Sequence, residues 1–381
     1  MLEEYLDAKP LYYDEIDYER MPRIYEKIKK QIKIPKIIHL IGTNGKGTTG
    51  RFLASALYSL GFGVGHYTSP HILNFNERVW LNSKNVDNKD LDSAHAYLLE
   101  ILSDEDADAL SYFEYTTLVA MIIFQDLEYV ILEAGLGGEH DATAVFAKTL
   151  TLVTPIDIDH EAFLGNTIKE IAKTKLNAVK NRAILATQPH KEVYEIASTL
   201  AGEKSLEVYK LDEILQARDY ANAEMISKEL SLVPYLQENL KLSIAALRFL
   251  GLEYRIESFK ESRLFGRLTQ FKENILLDVG HNTLAASSIL QSLKGKKYIL
   301  IYNSYRDKNY KDILSILKPI IKHVMIIDID DARVEQKQVM QNTLEELEIE
   351  YKTFTKIEPD ENYLVFGSFR VVEEFLGAYD E

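Results

Sequence analysis

A glycine-rich turn that joins an apolar run to a helical pattern limits the folds that this chain can adopt. The run "KIIHLI" at Lys36–Ile41 has the length of a buried strand, and the turn "GTNGKGT" follows it at residues 42–48. A strict P-loop would have glycine at position 40 and a hydroxyl at position 47, where this chain has Leu40 and Gly47. The glycines, Lys46 and the following helix nevertheless retain open backbone N–H groups and positive charge, which a phosphate requires. The turn therefore predicts a nucleotide-binding loop.

Apolar runs of strand length alternate with helical patterns along the chain, which predicts βαβ units around mostly parallel sheets. The predicted strands are 36–41, 64–67, 129–132, 149–154, 184–186, 275–277, 298–301, 324–327 and 363–365. The predicted helices are one that starts near Thr48 and others at 115–124, 168–179, 237–250 and 284–293. The predicted fold class is α/β.

Two domains are expected, because 381 residues exceed the roughly 100–200 residues of a usual domain. The stretch "GLEYRIESFKESRLFGR" follows a long amphipathic helix and precedes a new strand, so we place the boundary near Ser262. Residues 1–262 are predicted to form a large domain that contains the P-loop-like turn and a mostly parallel sheet. Residues 263–381 are predicted to form a smaller, Rossmann-like α/β domain.

Composition excludes several classes of function. A formal net charge of -15 would repel a nucleic-acid backbone, so no nucleic-acid partner is expected. Without cysteine, the chain can have neither disulfides nor thiolate metal sites. The acidic start does not resemble a signal peptide, and no run approaches the ~20 apolar residues of a membrane span. We therefore expect a cytoplasmic enzyme with small-molecule substrates and no membrane partner.

Polar side chains follow several predicted strands, at the edge of a parallel sheet where ligands bind. Glu133 ends one strand and precedes three glycines, His160 follows another, and Ser69 follows a third. A carboxylate and a hydroxyl beside a phosphate loop are suitable Mg²⁺ ligands. An imidazole ligand is unusual for Mg²⁺ and suggests that Mn²⁺ is also accepted.

The second half of the chain repeats this arrangement. Asp278, His281 and Asn282 follow the strand in "ILLDVGHN", and Arg267 precedes it. An arginine suits bidentate phosphate contact, and Asp278 suits a ribose hydroxyl or a supporting hydrogen bond. Taken alone, the same pattern also fits a turn with a surface arginine.

Together these motifs resemble the folylpolyglutamate synthase and dihydrofolate synthase family, within the Mur ligase superfamily of ATP-dependent amide-forming enzymes. The matching stretches extend from about residue 38 to residue 374 in the family's order, and "TSPH" followed by "FNER" is typical of this family rather than of the cell-wall Mur ligases. They are "GTNGKGT", "YTSPHILNFNERV", "FEYTTLVAMIIF", "EAGLGGEHDAT", "IDIDHEAFLGNTIKEIAKTK", "LQENLKLSIAALRFL", "FGRL", "LDVGHN", "DKNYKDIL" and "VFGSFRVVEEF".

The resemblance implies a role for each matching residue. The residues that would cradle the ATP phosphates are Gly42, Thr43, Asn44, Gly45, Lys46, Gly47 and Thr48. Further nucleotide contacts would come from Asn239, Arg267, Asp278 and His281. The metal ligands would be Ser69, Glu133 and His160, and the catalytic set would be Lys46, Glu133, His160 and Lys175. Lys175 would be carbamylated by CO₂, although the residues alone indicate a lysine on a helix surface. Residues near the pterin and its carboxylate would be Phe75, Asn76, Arg78 and Asp141.

Several positions depart from the family pattern. The usual arginine after the double glycine is Glu139, and the usual "DATN" ends in Ala144. The usual "EKAG" reads Thr174, Lys175, Leu176 and Asn177, and "DGAHN" has Val279 and Gly280 at its second and third positions. The first two changes lie on the proposed substrate side, so they weaken inference about the pterin substrate and leave the ATP machinery intact.

The resemblance implies a bifunctional ligase that joins L-glutamate to dihydropteroate and then extends reduced folates, with ATP, Mg²⁺ and an acyl-phosphate intermediate. An enzyme with one of the two activities remains an alternative. A ligase acting on a UDP-sugar peptide and a catalytically inactive nucleotide-binding relative are disfavoured alternatives. The expected oligomeric state is a monomer.

Overall fold

The computed structural model describes residues 1–9 and 17–380. The chain divides into two compact units, Met1–Leu232 with Leu236–Arg263 and Val233–Tyr235 with Leu264–Glu381. We refer to them as the larger unit and the smaller unit. In the described ranges, no helix combines the length and apolar character needed to cross a membrane.

The described part of the larger unit contains eight strands in one sheet. The strands are β1 (Lys36–Ile41), β2 (Val64–Tyr67), β3 (Val79–Leu81), β4 (Lys84–Asn85), β5 (Tyr129–Glu133), β6 (Leu150–Val153), β7 (Arg182–Leu185) and β8 (Glu207–Lys210). Their order across the sheet is β4-β3-β2-β5-β1-β6-β7-β8. Strand β1 pairs in parallel with β5 and β6, whereas β3 pairs antiparallel with β2 and β4.

Helices surround this sheet and supply most of the larger unit's secondary structure. The helices are α1 (Leu2–Asp7), α2 (Arg20–Ile28), α3 (Lys46–Ser59), α4 (Asn88–Ile101), α5 (Asp104–Ala109), α6 (Tyr112–Phe124), α7 (Glu161–Leu164), α8 (Ile168–Leu176), α9 (Lys191–Lys204), α10 (Leu211–Ile214), α11 (Ala217–Glu229) and α12 (Pro234–Phe249), whose first two residues group with the smaller unit. Short 3-10 turns occur at Phe75–Arg78, Ala142–Val145 and Ile256–Phe259.

The central strand β1 shows why the sheet is covered on both faces. Ile37 packs in one core with residues of α2 and α6, whereas Ile38 and Leu40 pack in another with residues of α3 and α12. Successive side chains of a strand point to opposite faces, so one apolar run fills two cores. Both faces of the sheet are buried, as parallel strands require, and the carboxyl ends of β2, β5, β1 and β6 lie side by side at one edge.

The smaller unit has its own sheet and its own core. Its strands are β9 (Thr269–Lys272), β10 (Ile275–Asp278), β11 (Tyr298–Tyr302), β12 (Ile321–Ile326), β13 (Tyr351–Thr353) and β14 (Tyr363–Phe366), in the order β13-β12-β11-β14-β10-β9. Its helices are α13 (Thr283–Leu293), α14 (Tyr310–Leu317), α15 (Lys337–Glu346) and α16 (Phe369–Asp380), with a 3-10 turn at Lys318–Ile320. Only the edge strand β9 pairs antiparallel in the described part of this sheet.

The predicted α/β class with mostly parallel sheets is confirmed. Strands β1 and β2 have the predicted bounds, and the other predicted strands differ from the observed ones by one to three residues at one or both ends. Helix α3 begins at Lys46, two residues earlier than predicted, and α8 ends at Leu176 rather than at residue 179. The prediction omitted the antiparallel strands β3, β4 and β9 and the parallel strands β8 and β13, which are short. It also omitted the helices α1, α2, α4, α5, α7, α9, α10, α11, α14, α15 and α16.

Candidate functional site

The loop between β1 and α3 has a backbone that only glycine fits at two positions. Gly42 and Gly45 have φ angles of +139° and +91°. A Cβ on Gly42 would lie 2.0 Å from Thr154 Oγ1, and a Cβ on Gly45 would lie 2.4 Å from Asn239 Oδ1. The glycines therefore allow the loop to pack directly on neighbouring chain segments, which fixes the directions of its N–H groups.

A segment that follows β6 holds the loop from one side. The Thr43 N–H donates to the Pro155 carbonyl at 2.9 Å. The Thr43 hydroxyl lies 3.0 Å from both the carbonyl oxygen and the backbone nitrogen of Asp157. The Asp157 carboxylate in turn lies 2.8 Å from His190 Nε2. These contacts give Asp157 a supporting role that the sequence did not reveal.

The start of helix α3 is suited to an anion. Gly45 occupies the N-cap and has no side chain to accept from the first N–H groups of the helix. Those N–H groups carry the positive end of the helix dipole, which attracts phosphate oxygens. Lys46 Nζ lies 3.1 Å from the carbonyl oxygen of Gly42 and 3.9 Å from Glu133 Oε1. The positive charge of Lys46 and the N–H groups at the start of α3 therefore lie at the same end of the helix.

Lys175 is buried, so its interpretation from the residues alone as a helix-surface lysine was wrong. Its side chain extends from α8 to the same carbonyl that Lys46 contacts, with Nζ 3.0 Å from the Gly42 oxygen. Burial is the main cause that lowers the pKa of Lys175 to about 7, and the charge of Lys46 lowers it further against the opposing effects of Asp159 and Asp141. A large part of the Lys175 population is therefore an unprotonated amine near neutral pH.

Two predicted metal ligands lie together at the carboxyl ends of adjacent strands. Glu133 is buried at the end of β5, and its Oε2 accepts from the hydroxyl of Thr68 and lies 3.4 Å from the backbone nitrogen of Ser69. His160 follows β6 and has a left-handed φ of 54°. Its backbone N–H donates to Asp159 at 2.9 Å, and its side chain is 38% exposed.

Glu133 and the neighbouring Ser69 are suited to a divalent cation that completes its coordination with phosphate oxygens. Within residues 1–9 and 17–380, no group of three His, Cys, Asp or Glu side chains is arranged to hold a metal by itself. The predicted set instead combines one carboxylate, one imidazole and one hydroxyl. Such an incomplete set is typical of Mg²⁺ sites, where the cation keeps water and substrate phosphates.

Asp141 is engaged in holding the loop that follows Glu133. One carboxylate oxygen accepts from the N–H groups of Gly135 and Leu136 at 2.9 and 3.0 Å, and the other accepts from the N–H and hydroxyl of Thr143 at 2.9 and 2.5 Å. Burial raises the pKa of Asp141, and these four hydrogen bonds oppose that rise. Asp141, which was predicted to lie near the substrate, therefore also fixes the backbone of this loop.

The other predicted substrate residues lie in and around a 3-10 turn after β2. Arg78 is buried, its Nε donates to His71 at 2.8 Å, and its guanidinium lies 5.2 Å from the ring centre of Tyr112. Phe75 is buried next to the same guanidinium, at 5.7 Å. The Asn76 amide donates to the Val86 carbonyl at 2.8 Å and so fixes the turn. Arg78 therefore supplies the positive charge among these predicted substrate residues.

Asn239 contributes an unpaired donor next to the nucleotide loop. Its side chain is buried beside Gly45, and its Nδ2 has no hydrogen-bond partner among the described residues. A buried donor without a partner is costly in a folded protein unless a ligand supplies an acceptor. The residues present therefore fit a phosphate or ribose oxygen at this point.

In the smaller unit, the predicted nucleotide residues lie around the end of β10. Asp278 is buried and accepts hydrogen bonds of 2.8 Å from the N–H groups of Gly280 and Leu268 and from the hydroxyl of Tyr235. Burial raises the pKa of Asp278, against the charge of Arg267 and these hydrogen bonds. His281 Nδ1 lies 3.2 Å from the Val279 carbonyl oxygen. Tyr235, which supports Asp278, was missed because no local motif marks it.

Comparison with known proteins found no matching family model. A curated relative, the dihydrofolate synthase/folylpolyglutamate synthase of Buchnera aphidicola subsp. Acyrthosiphon pisum, is 31% identical, and the alignment covers 96% of each chain.

Solved structures agree with this relationship. The folylpolyglutamate synthetase of Helicobacter pylori is 37% identical with a TM-score of 0.81, covering 100% of this chain and 98% of that one. The Escherichia coli FolC structure in complex with DHPP and ADP is 26% identical with a TM-score of 0.81, covering 98% and 95%. A bifunctional folylpolyglutamate synthase/dihydrofolate synthase with Mn, AMPPNP and L-glutamate bound is 25% identical with a TM-score of 0.81, covering 99% and 96%. The chain therefore belongs to the dihydrofolate synthase/folylpolyglutamate synthase family of ATP-dependent ligases.

Proposed function

We propose that this protein joins L-glutamate to dihydropteroate and extends reduced folates with further glutamates, using ATP to activate each carboxylate. The observation that carries the proposal is the meeting of Lys46 and Lys175 at the Gly42 carbonyl, beside the buried carboxylate of Glu133. Lys46 and the N–H groups at the start of α3 need an anion as partner, and a nucleoside triphosphate supplies one. The ligands named for the solved relatives support the same substrates.

The chemistry requires activation because the carboxylate oxygen is a poor leaving group. Transfer of the γ-phosphoryl group of ATP to the carboxylate gives an acyl phosphate, which the α-amino group of glutamate attacks with loss of phosphate. The protein must hold two anions together during transfer, and Lys46 with the N–H groups of α3 neutralises the charge that develops. Arg78 and its neighbours Phe75 and Asn76 are proposed to bind the pterin substrate and its carboxylate, with Asp141 supporting the adjoining loop.

We assign the divalent cation, Mg²⁺ or Mn²⁺, to Ser69, Glu133 and His160. When bound, the cation supplies charge neutralisation at the transferring phosphate. Glu133 suits this task because Thr68 and the Ser69 N–H already orient its carboxylate.

We propose that CO₂ carbamylates Lys175. Attack on CO₂ requires an unprotonated amine, and burial together with Lys46 lowers the pKa of Lys175 to about 7. The amine nitrogen bonds to the CO₂ carbon and its proton leaves to solvent, so the product is a carbamate anion that is attracted to the charge of Lys46. A negative charge at this position would offset part of the positive charge that the divalent cation brings to the loop.

Residues 1–262 are proposed as the ATP-binding domain and residues 263–381 as the glutamate-ligase domain. Within this assignment Asn239, Arg267, Asp278 and His281 contact the nucleotide. A monomer in the cytoplasm remains our prediction for its state and location.

The test is phosphate release from ATP and Mg²⁺ by the purified protein, with L-glutamate and either dihydropteroate or tetrahydrofolate. We expect release with both acceptors, each giving a product heavier by one glutamyl unit in mass spectrometry. Release with one acceptor would support the monofunctional alternative. The absence of release with either acceptor would contradict the proposed function and favour a nucleotide-binding relative without activity.

A further inference from the structure

The loop after β5 and the end of helix α8 are joined by a set of contacts that centres on Glu139. Gly138 lies against the helix so closely that a Cβ there would be 2.7 Å from the carbonyl oxygen of Lys175. The next residue, Glu139, contacts the helix through both its backbone and its side chain. We call the pair Glu139 and Asn177 the clasp.

The backbone of Glu139 satisfies a carbonyl at the end of α8. The last carbonyls of a helix have no partner within the helix and need one from elsewhere. Those of Lys173, Lys175 and Leu176 accept from the N–H groups of residues 177, 178 and 179 at 2.9, 3.1 and 3.0 Å. The carbonyl of Thr174 accepts from the Glu139 N–H at 3.1 Å. The loop therefore supplies the hydrogen-bond donor for the Thr174 carbonyl, one residue before Lys175.

The side chain of Glu139 makes the second connection. Its Oε2 accepts from Asn177 Nδ2 at 2.7 Å, and Asn177 Oδ1 accepts from Lys204 Nζ at 2.8 Å. Asn177 is the C-cap of α8, two residues after Lys175. The Glu139 carboxylate thus orients the end of α8 through the Asn177 amide. Lys204 orients the same amide through its oxygen.

The clasp connects the two halves of the proposed catalytic site. At its other end the same loop begins at Glu133, and Asp141 fixes its backbone at Gly135 and Leu136. Helix α8 carries Lys175, whose amine reaches the Gly42 carbonyl. A shift of the helix end would therefore move the Lys175 amine relative to both the nucleotide loop and Glu133.

We propose that Glu139 is a positioning residue, which acts through Asn177 to hold Lys175 against the nucleotide loop. The two clasp side chains complement each other, because an acceptor at position 139 meets a donor at position 177. An arginine at position 139 could not accept from the Asn177 amide, and its charge would face Lys204. The inference rests on the proposed role of Lys175 in ligation.

The test is a set of full-length variants assayed for ligation per amount of folded protein. Glu139→Ala should lower kcat about tenfold and change the KM for ATP less than about twofold, because a misplaced catalytic group slows the chemical step. Glu139→Gln should retain activity, since its amide oxygen still accepts from Asn177. The double variant Glu139→Ala with Asn177→Gly should lose no more activity than Glu139→Ala alone, because coupled partners are not additive. The matched control is Glu203→Ala, an exposed glutamate on α9.

Either of two kinetic results would overturn the clasp: unchanged kcat in Glu139→Ala, whatever its melting temperature, or losses that multiply in the double variant. Hydrogen exchange provides a measurement that does not depend on activity. Peptides spanning residues 172–179 should exchange faster in Glu139→Ala than in the wild type, and equal rates would also overturn the proposal. An inactive wild type with faster exchange in Glu139→Ala would instead contradict the proposed function and leave the clasp supported.

Discussion

Replacing Lys175 by methionine should stabilise the larger unit near neutral pH and progressively less as the pH rises. Methionine has a similar length and no charge, so Lys175→Met removes the cost of burying an amine while largely conserving volume. The lost hydrogen bond to the Gly42 carbonyl shifts the stability difference at every pH. The dependence of that difference on pH therefore reports the titration of Lys175.

The magnitude follows from the pKa of Lys175. A lysine amine in water has an ordinary pKa of 10.5, whereas burial and Lys46 lower the pKa of Lys175 to about 7 in the folded protein. Between these values the unfolded chain binds more protons, so the stability of the wild type rises with pH across this window. At about 1.4 kcal/mol per unit, the lysine costs about 4 kcal/mol at pH 7 and about 1.5 kcal/mol near pH 9.5. The advantage of Lys175→Met should fall by about 3 kcal/mol over that range.

The single tryptophan of the chain makes the assay specific to the larger unit. Trp80 is buried there, with the Arg51 guanidinium 5.0 Å from its ring centre. Urea unfolding followed by its fluorescence, in buffers free of CO₂, should show a change in the midpoint difference of roughly 1 M between the two pH values, for a slope of about 3 kcal/mol per M. Lys173→Met, at an exposed position of the same helix, is the control. An equal Lys175→Met difference at both pH values would refute the reasoning.

Three further predictions concern the loop and its supports. Lys46→Ala and Glu133→Ala should each reduce ligation at least a hundredfold while circular dichroism stays unchanged, because the first removes positive charge from the transferring phosphate and the second removes a proposed ligand of the divalent cation; near-normal turnover would contradict the assignment. Gly45→Ala should weaken ADP binding at least tenfold in calorimetry, because the new Cβ would lie 2.4 Å from Asn239 Oδ1 and the φ of +91° is unfavourable for a side chain; unchanged ADP binding would contradict the role of the loop. Asp141→Ala should destabilise the larger unit by about 2–5 kcal/mol in the Trp80 assay, because it leaves buried N–H groups unpaired; unchanged stability with a raised KM for the pterin would show that Asp141 acts only on substrate.

The fold could be predicted from the sequence where apolar patterns are long. Strand β1 and helix α3 flank an unmistakable glycine turn, and the buried parallel strands are continuous apolar runs. Edge strands such as β4 and β9 are short and mostly polar, so local apolar patterns do not reveal them. Local propensity carries no information about the strands with which they pair.

The site could be predicted in its residue types but not in its contacts. Glu133 and Ser69 were identified because both follow strands, and strand order then brings them together. The burial of Lys175 could not be recognised, because a lysine near the end of an amphipathic helix has the same local pattern whether it faces water or a loop. Its true partner, the Gly42 carbonyl, lies 133 positions away.

The two lysines at Gly42 support our proposal that the loop binds phosphate although its sequence departs from a strict P-loop. The strict pattern places a hydroxyl directly after the lysine, whereas Gly47 leaves this position without a side chain. In this chain a second amine, from α8, approaches the same carbonyl at 3.0 Å, compared with 3.1 Å for Lys46. Two cations cannot remain both charged and buried at one oxygen without cost, so the state of Lys175 is coupled to whatever negative charge the loop holds. A bound triphosphate would favour the protonated, positively charged form of Lys175, whereas carbamylation would give this side chain a negative charge. The charge bound at the loop and the charge on Lys175 of α8 therefore depend on each other.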